Sequence, residues 1–536
     1  MNRLSFRTAR AAACFGFAAG TMLSSAPVLS QPFSERASAT VDYTTASLTP
    51  AGSCDALGNR SWTDVVELDA SVAAEAGVTP HCRVTGIIAP EIAFEVSLPD
   101  RWNGRFYMIG NGGHAGDDLT SPGRAAQRNE ALSLGFAFAQ TNTGHYASEE
   151  PGATFALSNP QKAVDYAYRA VHVTAETAKA MTAAYYGRPA DYSYWSSCSN
   201  GGRQGLIEAQ RFPDDFDGIV ADAPWVDQTG FTVGAIWNHR ALTQAPVSAA
   251  KMEVVAERVM AVCDAVDGLE DGLIDDPRAC DFDPTRDVPV CRDGTDTDRC
   301  LTPAQADAVA KVYGGVVSNG ETVIPGFMPG SEAVMDGLFG GGSGSGWMNV
   351  IVPASPGGSA ADFGLADNTM KYLVLNPPDP DWDFRSFDFD ADIPRLAAWG
   401  ALANAKDADL SAFRDRGGKI IMTYGWADSI LQPMMGVEYY ENAVAFNGAD
   451  TPDFFRLFMI PGMAHCGGGV GPDSRDAMSA IIDWVEADEA PDSIIASKVI
   501  DGEVTRTRPL CPYPQVARYT GRGDSDDADN FRCENE

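Results

Sequence analysis

The stretch that most constrains this chain is Tyr194-Trp-Ser-Ser-Cys-Ser-Asn-Gly-Gly-Arg203. Tyr192 and Tyr194 alternate as strand residues do, and Ser199 stands where that strand must end. Gly201, Gly202 and Gly205 leave room for a tight turn and for a helix packed closely on the strand. The stretch therefore reads as a strand end, a sharp turn with Ser199 at its apex, and a helix start. Cys198 immediately precedes this serine. Far along the chain, Pro461-Gly-Met-Ala-His465-Cys466-Gly-Gly-Gly469 sets a second cysteine directly after a histidine.

The N-terminus reads as an export signal. Arg3, Arg7 and Arg10 form a basic region, and residues 11–23 are apolar and small, too short to span a bilayer. Residues 1–30 are assigned to this signal, with cleavage between residues 26 and 31, which implies a secreted or periplasmic protein. Of eleven cysteines, Cys14 leaves with the signal. The remaining ten are an even number in an exported chain, which favours five disulfides. Proximity suggests Cys54–Cys82, Cys263–Cys280, Cys291–Cys300 and Cys511–Cys533, which leaves Cys198 and Cys466. If those two are bonded, their Cα atoms lie roughly 5.5 Å apart. One more residue on each side, at about 3.8 Å each, keeps Ser199 and His465 within about 13 Å between Cα atoms. The alternatives are two buried free thiols or pairing elsewhere. Zinc is discounted, because no CxxC pair occurs and the histidines are scattered.

Strand and helix signals alternate around the serine turn. Residues 83–88, 92–98 and 105–110 read as strands, the second with good alternation. The third runs into a glycine-rich loop, Asn111-Gly-Gly-His-Ala-Gly116. Residues 135–140 form a buried strand. Asn159 caps a long helix that starts at Pro160, runs to about residue 186, and stops at Gly187 and Pro189. After the serine turn, residues 216–221 form the next strand. This is the α/β order. From residue 226 to 408 the alternation is lost. Four cysteines, many aspartates and the run Gly337-Leu-Phe-Gly-Gly-Gly-Ser-Gly-Ser-Gly346 mark an inserted lid domain, with the glycine run as a flexible surface loop. Strands at 419–424 and 454–460, a helix at 477–485 and a cysteine-pinned tail follow. The expected architecture is an α/β-hydrolase fold: core residues 31–225, lid 226–408, core 409–536. The 536 residues, 45% of them hydrophobic, suffice for two such bodies. With 39 basic against 73 acidic residues, the net charge of −34 repels nucleic acid and anionic membranes, so neither is expected as a partner.

Cleaving an ester with a serine needs a base for its proton, an acid to hold that base, and amides for the oxyanion. Ser199, Asp428 and His465 each follow a predicted strand and occur in the order of α/β-hydrolase triads. Asp222 is the rival carboxylate. The amide of Asn200, next after the serine, and that of Gly112 or Gly113 are the candidate oxyanion donors. The glycine loop also fits an ordinary turn. His145 reads either as a pocket residue or as a hydrogen-bonded core histidine, and His81, His114, His172 and His239 carry no usable context. The acidic run Cys263-Asp264-Ala-Val-Asp267-Gly-Leu269-Glu-Asp271-Gly-Leu273-Ile-Asp275 offers hard oxygen ligands at close spacing. It fits a calcium-sized cation and equally a solvated acidic turn, and it lacks the glycine an EF-hand needs at the position of Leu269.

The stretches SSCSNGGRQGLIEAQRFPDDFDGIVADAPW, TYGWADSILQP, PGMAHCGGG and RPLCPYPQVARY together resemble the tannase and feruloyl esterase family, and they span most of the mature chain. The resemblance implies a triad of Ser199, Asp428 and His465 with Cys198 bonded to Cys466, and a lid over the site. It also implies a structural calcium held by the carboxylates of Asp264, Asp267 and Asp271 and the carbonyls of Leu269 and Leu273. The implied substrate is a small ester of an aromatic acid, of feruloyl, galloyl or mono(2-hydroxyethyl) terephthalate type, free or attached to plant polysaccharide or polyphenol. Two rivals stand beside it: a hydrolase with Cys198 as nucleophile, and a non-catalytic binding protein on the same scaffold.

Overall fold

The computed structural model describes residues 33–535 except 35, 37, 38, 75, 76, 293, 333, 337–342, 354 and 356. The export signal and most of the glycine run near Gly341 lie outside the described residues. The main sheet contains β1 (Val65–Ala73), β2 (His81–Ile88), β3 (Ile92–Pro99), β4 (Arg105–Ile109), β5 (Ala137–Thr141), β6 (Tyr192–Cys198), β7 (Gly218–Asp222), β8 (Lys419–Gly425) and β9 (Phe455–Ile460). Their spatial order is β1-β2-β3-β5-β4-β6-β7-β8-β9. The first four positions pair antiparallel, and from β5 to β9 every pairing is parallel. Parallel neighbours need crossovers, so helices cover the faces and the strand ends gather at one edge. At that edge, where open α/β sheets place their ligands, the glycine loop, Ser199, Asp428 and His465 follow strands and Asp222 ends one.

Two elements differ from the sequence expectation. All eight residues of β3 are buried, so its alternation does not separate a wet face from a dry one. Its polar side chains are buried because they find partners. Glu95 pairs with Arg83 at 2.8 Å and Arg128 at 3.1 Å, and the Ser97 hydroxyl donates to Glu95 at 3.0 Å. The long helix is split into α1 (Pro160–Val164), a π-helical turn at Asp165–Arg169, and α2 (Ala170–Tyr186). Asn159 caps it by accepting the Gln161 N–H, and Gly187, at φ 75°, ends it.

Between Asp222 and Lys419 the described chain adds no strand to the main sheet. It forms helices, including Gln228–Gln244, Ala249–Cys263, Pro303–Gly314 and Ala361–Asn368, and two small hairpins. In one hairpin Ser343–Ser345 pairs with Val334–Asp336, so this end of the glycine run is a strand and not a loop. Val255, Val259, Val309, Val312, Trp347 and Ile351 belong to an apolar cluster of this stretch. Five disulfides join Cys54–Cys82, Cys198–Cys466, Cys263–Cys280, Cys291–Cys300 and Cys511–Cys533. Among the described residues, no helix is long and apolar enough to cross a membrane.

The helix after the serine turn, α3 (Asn200–Arg211), buries Glu208 beside Asp215. Asp215 is itself held by His172 Nδ1 at 2.6 Å and Lys179 Nζ at 2.9 Å. Burial, and then the charge of Asp215, holds the Glu208 carboxyl well above its ordinary value of 4.5. The folded protein thus keeps a proton that the unfolded chain releases, so stability falls as pH rises past 4.5. Glu208→Gln should flatten the fall in melting temperature between about pH 5 and pH 8 and raise it at the upper end. Thermal melts across that range check this, and an unchanged slope would count against it.

Candidate active site

At the end of β6 the chain turns on Ser199, whose φ of 63° and ψ of −124° lie where side-chain-bearing residues seldom go. Three backbone hydrogen bonds hold it there. The Ser199 N–H donates to the Asp222 carbonyl at 2.9 Å, and its own carbonyl accepts the N–H of Arg203 at 3.1 Å and of Trp225 at 3.0 Å. The helix can start at once because two glycines meet the strand ends. A Cβ on Gly201 would lie 2.0 Å from Ser197 Oγ, and one on Gly202 would lie 2.7 Å from the Asp222 carbonyl oxygen. The Ser197 side chain fits there because Gly201 opposite it has none.

Asp428 follows β8 and is fully buried. Its Oδ1 accepts the N–H groups of Ile430 at 2.8 Å and Leu431 at 2.9 Å, and its Oδ2 lies 2.7 Å from His465 Nδ1. With Nδ1–H given to Asp428, a neutral imidazole carries its acceptor lone pair on Nε2. Asp222, the rival carboxylate, is engaged elsewhere. It accepts from Thr423 Oγ1 at 2.6 Å and pairs with the buried Arg475 at 2.9 Å.

Cys198 and Cys466 are bonded, with Cα atoms 5.8 Å apart. A ring nitrogen of His465 lies within 4.8 Å of both sulfurs. Chain geometry then keeps the Cα atoms of Ser199 and His465 within about 13 Å. Bonded in this way, Cys198 offers no thiolate for attack.

The glycine loop docks onto the same corner. The Asn111 N–H donates to Gln204 Oε1 at 3.0 Å, and the Ala115 N–H donates to the Gly112 carbonyl at 2.7 Å. Asn200 opens α3, so its amide is among the first-turn donors without an intrahelical acceptor. Tyr166 stands between the two: its hydroxyl lies 2.9 Å from the Gly113 carbonyl and 3.2 Å from Asn200 Oδ1. His114 is buried under the insert, with Nε2 2.9 Å from Thr369 Oγ1 and its ring 5.8 Å from that of Trp225. Burial pushes its pKa down to about 3, so it stays neutral.

A sequence model of the family described as tannase and feruloyl esterase matches residues 76–534. The chain belongs to the tannase and feruloyl esterase family. It is 36% identical to an uncharacterized esterase of Xanthomonas campestris pv. campestris, over 84% of each chain. It is 34% identical to the mono(2-hydroxyethyl) terephthalate hydrolase of Piscinibacter sakaiensis, over 88% of this chain and 87% of the other. The crystal structure of feruloyl esterase B from Aspergillus oryzae superposes with a TM-score of 0.75 at 27% identity, covering 90% of this chain and all of that one. As a member of the tannase and feruloyl esterase family, the protein is a carboxylic ester hydrolase on an α/β-hydrolase fold.

In this esterase His145, His239 and His81 make packing or hydrogen-bond contacts. His145 stacks on Phe155 at 4.1 Å with neither ring nitrogen hydrogen-bonded, unlike the hydrogen-bonded core histidine expected. His239 stacks on Phe363 at 3.7 Å, and His81 Nδ1 meets the Thr79 carbonyl at 2.8 Å. In the acidic run, Asp264 accepts N–H groups from Asp271 and Gly272, Asp267 from Leu269, and Asp271 from Leu273. Asp271 is also paired with Arg508. Asp275 is pushed up to about 7 by burial and then by Asp267, and its Oδ1 is buried without a partner. That orphaned oxygen and the crowding of carboxylates fit a hard cation. The carboxylates are nonetheless not drawn to ligand spacing. Among the described residues, the trios with donor atoms within 4.8 Å are Cys198–His465–Cys466 and His172–Glu208–Asp215.

The family motifs do not point to Tyr166 or Arg203. Arg203 is in plain view as the last letter of SSCSNGGR, but only the fold reveals that it is fully buried. Tyr166 lies in the π turn, where helical periodicity misplaces it.

The Cys198–Cys466 bond spans 268 residues of chain, and losing it should cost about 5–6 kcal/mol by loop entropy. Thiol reduction, or Cys198→Ala with Cys466→Ala, should therefore lower both the melting temperature and aryl-ester hydrolysis. Activity that rises on reduction would point to a cysteine nucleophile instead.

Proposed function

We propose that this chain is an exported serine esterase that hydrolyses esters of aromatic acids through Ser199, His465 and Asp428. The observation that carries this reading is the 2.7 Å Asp428–His465 bond on a loop joined to the serine turn by a disulfide. His465 Nε2 takes the proton of Ser199 Oγ as that oxygen attacks the ester carbonyl. The amides of Asn200 and of Gly112 or Gly113 hydrogen-bond the oxyanion. The imidazolium returns its proton to the departing alcohol. A water, deprotonated by His465, then attacks the acyl-enzyme and releases the acid.

The aromatic acyl group is supported by the names of the relatives. In this reading residues 226–408 act as the lid, since Leu365 and Thr369 reach the glycine loop. Calcium would be held by the carboxylates of Asp264, Asp267 and Asp271 and the carbonyls of Leu269 and Leu273. Bound there, it screens carboxylate repulsion and braces the insert. Export is supported by the basic and apolar N-terminus and by the five disulfides.

Purified protein should hydrolyse at least one of methyl ferulate, methyl gallate and mono(2-hydroxyethyl) terephthalate, and Ser199→Ala should reduce that rate by at least about a thousandfold. A fluorophosphonate should label Ser199. Retained turnover in the variant would refute the assignment, and no turnover with no labelling would favour a binding protein.

Chelation with EDTA should lower the melting temperature by several degrees, with recovery on adding calcium. Melts that EDTA leaves unmoved would reject the metal.

A further inference from the structure

We propose that Tyr166 is a positioning residue for the oxyanion donors, tying together the two chain segments that supply them. The proposal rests on the reading of Asn200 and the Gly112–Gly113 loop as those donors. The segments come from different places, one after β4 and the other at the start of α3, and the buried Tyr166 phenol touches both.

A phenol has one proton to give and two lone pairs to fill. Gln228 Nε2 donates to the Tyr166 oxygen at 2.7 Å. The phenol proton then has two acceptors, the Gly113 carbonyl at 2.9 Å and Asn200 Oδ1 at 3.2 Å. Asn200 Oδ1 also accepts from Arg203 Nε at 2.7 Å and has a second lone pair, so the phenol proton is shared between the two, with Gly113 the nearer acceptor. The peptide before Gly113 is held separately, because the Gly112 carbonyl accepts the Ala115 N–H at 2.7 Å. In a trans peptide this fixes the opposite direction for the Gly113 N–H. Gly113, at φ 43°, has no side chain to restrain it; the Ala115 bond orients the peptide that carries its N–H, and the phenol holds the following peptide, so the backbone torsions of Gly113 are fixed between two anchored planes. Donors aimed before the reaction starts stabilise an oxyanion far better than donors that must reorganise.

Arg203 supports the same arrangement. It is fully buried, and no salt bridge to it occurs among the described residues. Its guanidinium lies 5.2 Å over the Tyr166 ring. It donates to Asn200 Oδ1, to the carbonyls of Ala167 and Ala403 at 2.8 Å, and to that of Tyr166 at 3.3 Å. The π turn presents the Tyr166 and Ala167 carbonyls to it, and such turns recur at functional sites. Peptide and amide dipoles and the Tyr166 ring hold this buried cation, and it locks tyrosine and asparagine into one unit.

The test is Tyr166→Phe, which keeps the ring and the guanidinium stacking and removes one proton donor. Sulfur accepts hydrogen bonds weakly, so the rate ratio of an aryl-acid methyl ester to its thionoester reports on the oxyanion donors. The variant should lose about tenfold in kcat and in that ratio, with KM within about twofold. A general packing defect slows both substrates alike and leaves the ratio unchanged, and that result overturns the proposal. If Tyr166→Phe does not fold, Gln228→Met, which removes the amide that orients the phenol, should lower the same ratio, and an unchanged ratio there is equally fatal. Turnover that survives Ser199→Ala would instead sink the underlying serine-esterase reading. An inactive Ser199→Ala alongside an unchanged ratio in the tyrosine variant sinks this proposal alone.

Discussion

Strands β6 and β9 stand three positions apart in the sheet, a separation of about 14 Å at ordinary strand spacing. The loop after β9 nevertheless returns across the ends of β7 and β8 until Cys466 bonds Cys198 at a Cα distance of 5.8 Å. That covalent bond decides where His465 can be. It also explains the backbone of the loop, in which Gly462, Cys466, Gly468 and Gly469 all take positive φ. Asp428, leaving β8 between the two, meets the imidazole on its way back.

The rest of the corner is held by polar groups kept from water and matched to one another. Asp222 is neutralised by Arg475 and braced by Thr423, so the strand end beside the serine turn carries no loose charge. On the other side Arg203, with no acidic partner among the described residues, is satisfied by carbonyls and an asparagine. Both arginines are buried, and each would be costly if a single partner moved. The strained serine turn persists because these surroundings leave it no other conformation.

Much of this was legible in the chain. The serine turn announces itself through residues whose local physics is unambiguous: alternating tyrosines, then glycines where a helix meets strand ends. The cysteine pairs separated by only 9 to 28 residues follow from proximity, and the sole remaining pair is Cys198 with Cys466. Other features were hidden. The burial of Glu95 on β3 depends on Arg83 and Arg128, which come from other elements. The π turn inserts one residue into a helical register and moves Tyr166 onto a face that periodicity does not predict. His145, which read either as a pocket residue or as a hydrogen-bonded core histidine, is held by a flat contact with Phe155 and has no hydrogen bond at its ring nitrogens.

Sequence by itself determined the turn chemistry, the strand and helix order and the residue types able to cut an ester, because each depends on near neighbours in the chain. It could not decide which carboxylate meets His465. Asp222 ends one parallel strand and Asp428 follows the next, and only the packed sheet gives the first to Arg475 and the second to the imidazole. Nor could it join Gly113 to Asn200, since that link runs through a phenol remote from both in the chain. Contacts of this kind are set by the summed geometry of many elements, and no local pattern of residues encodes that sum.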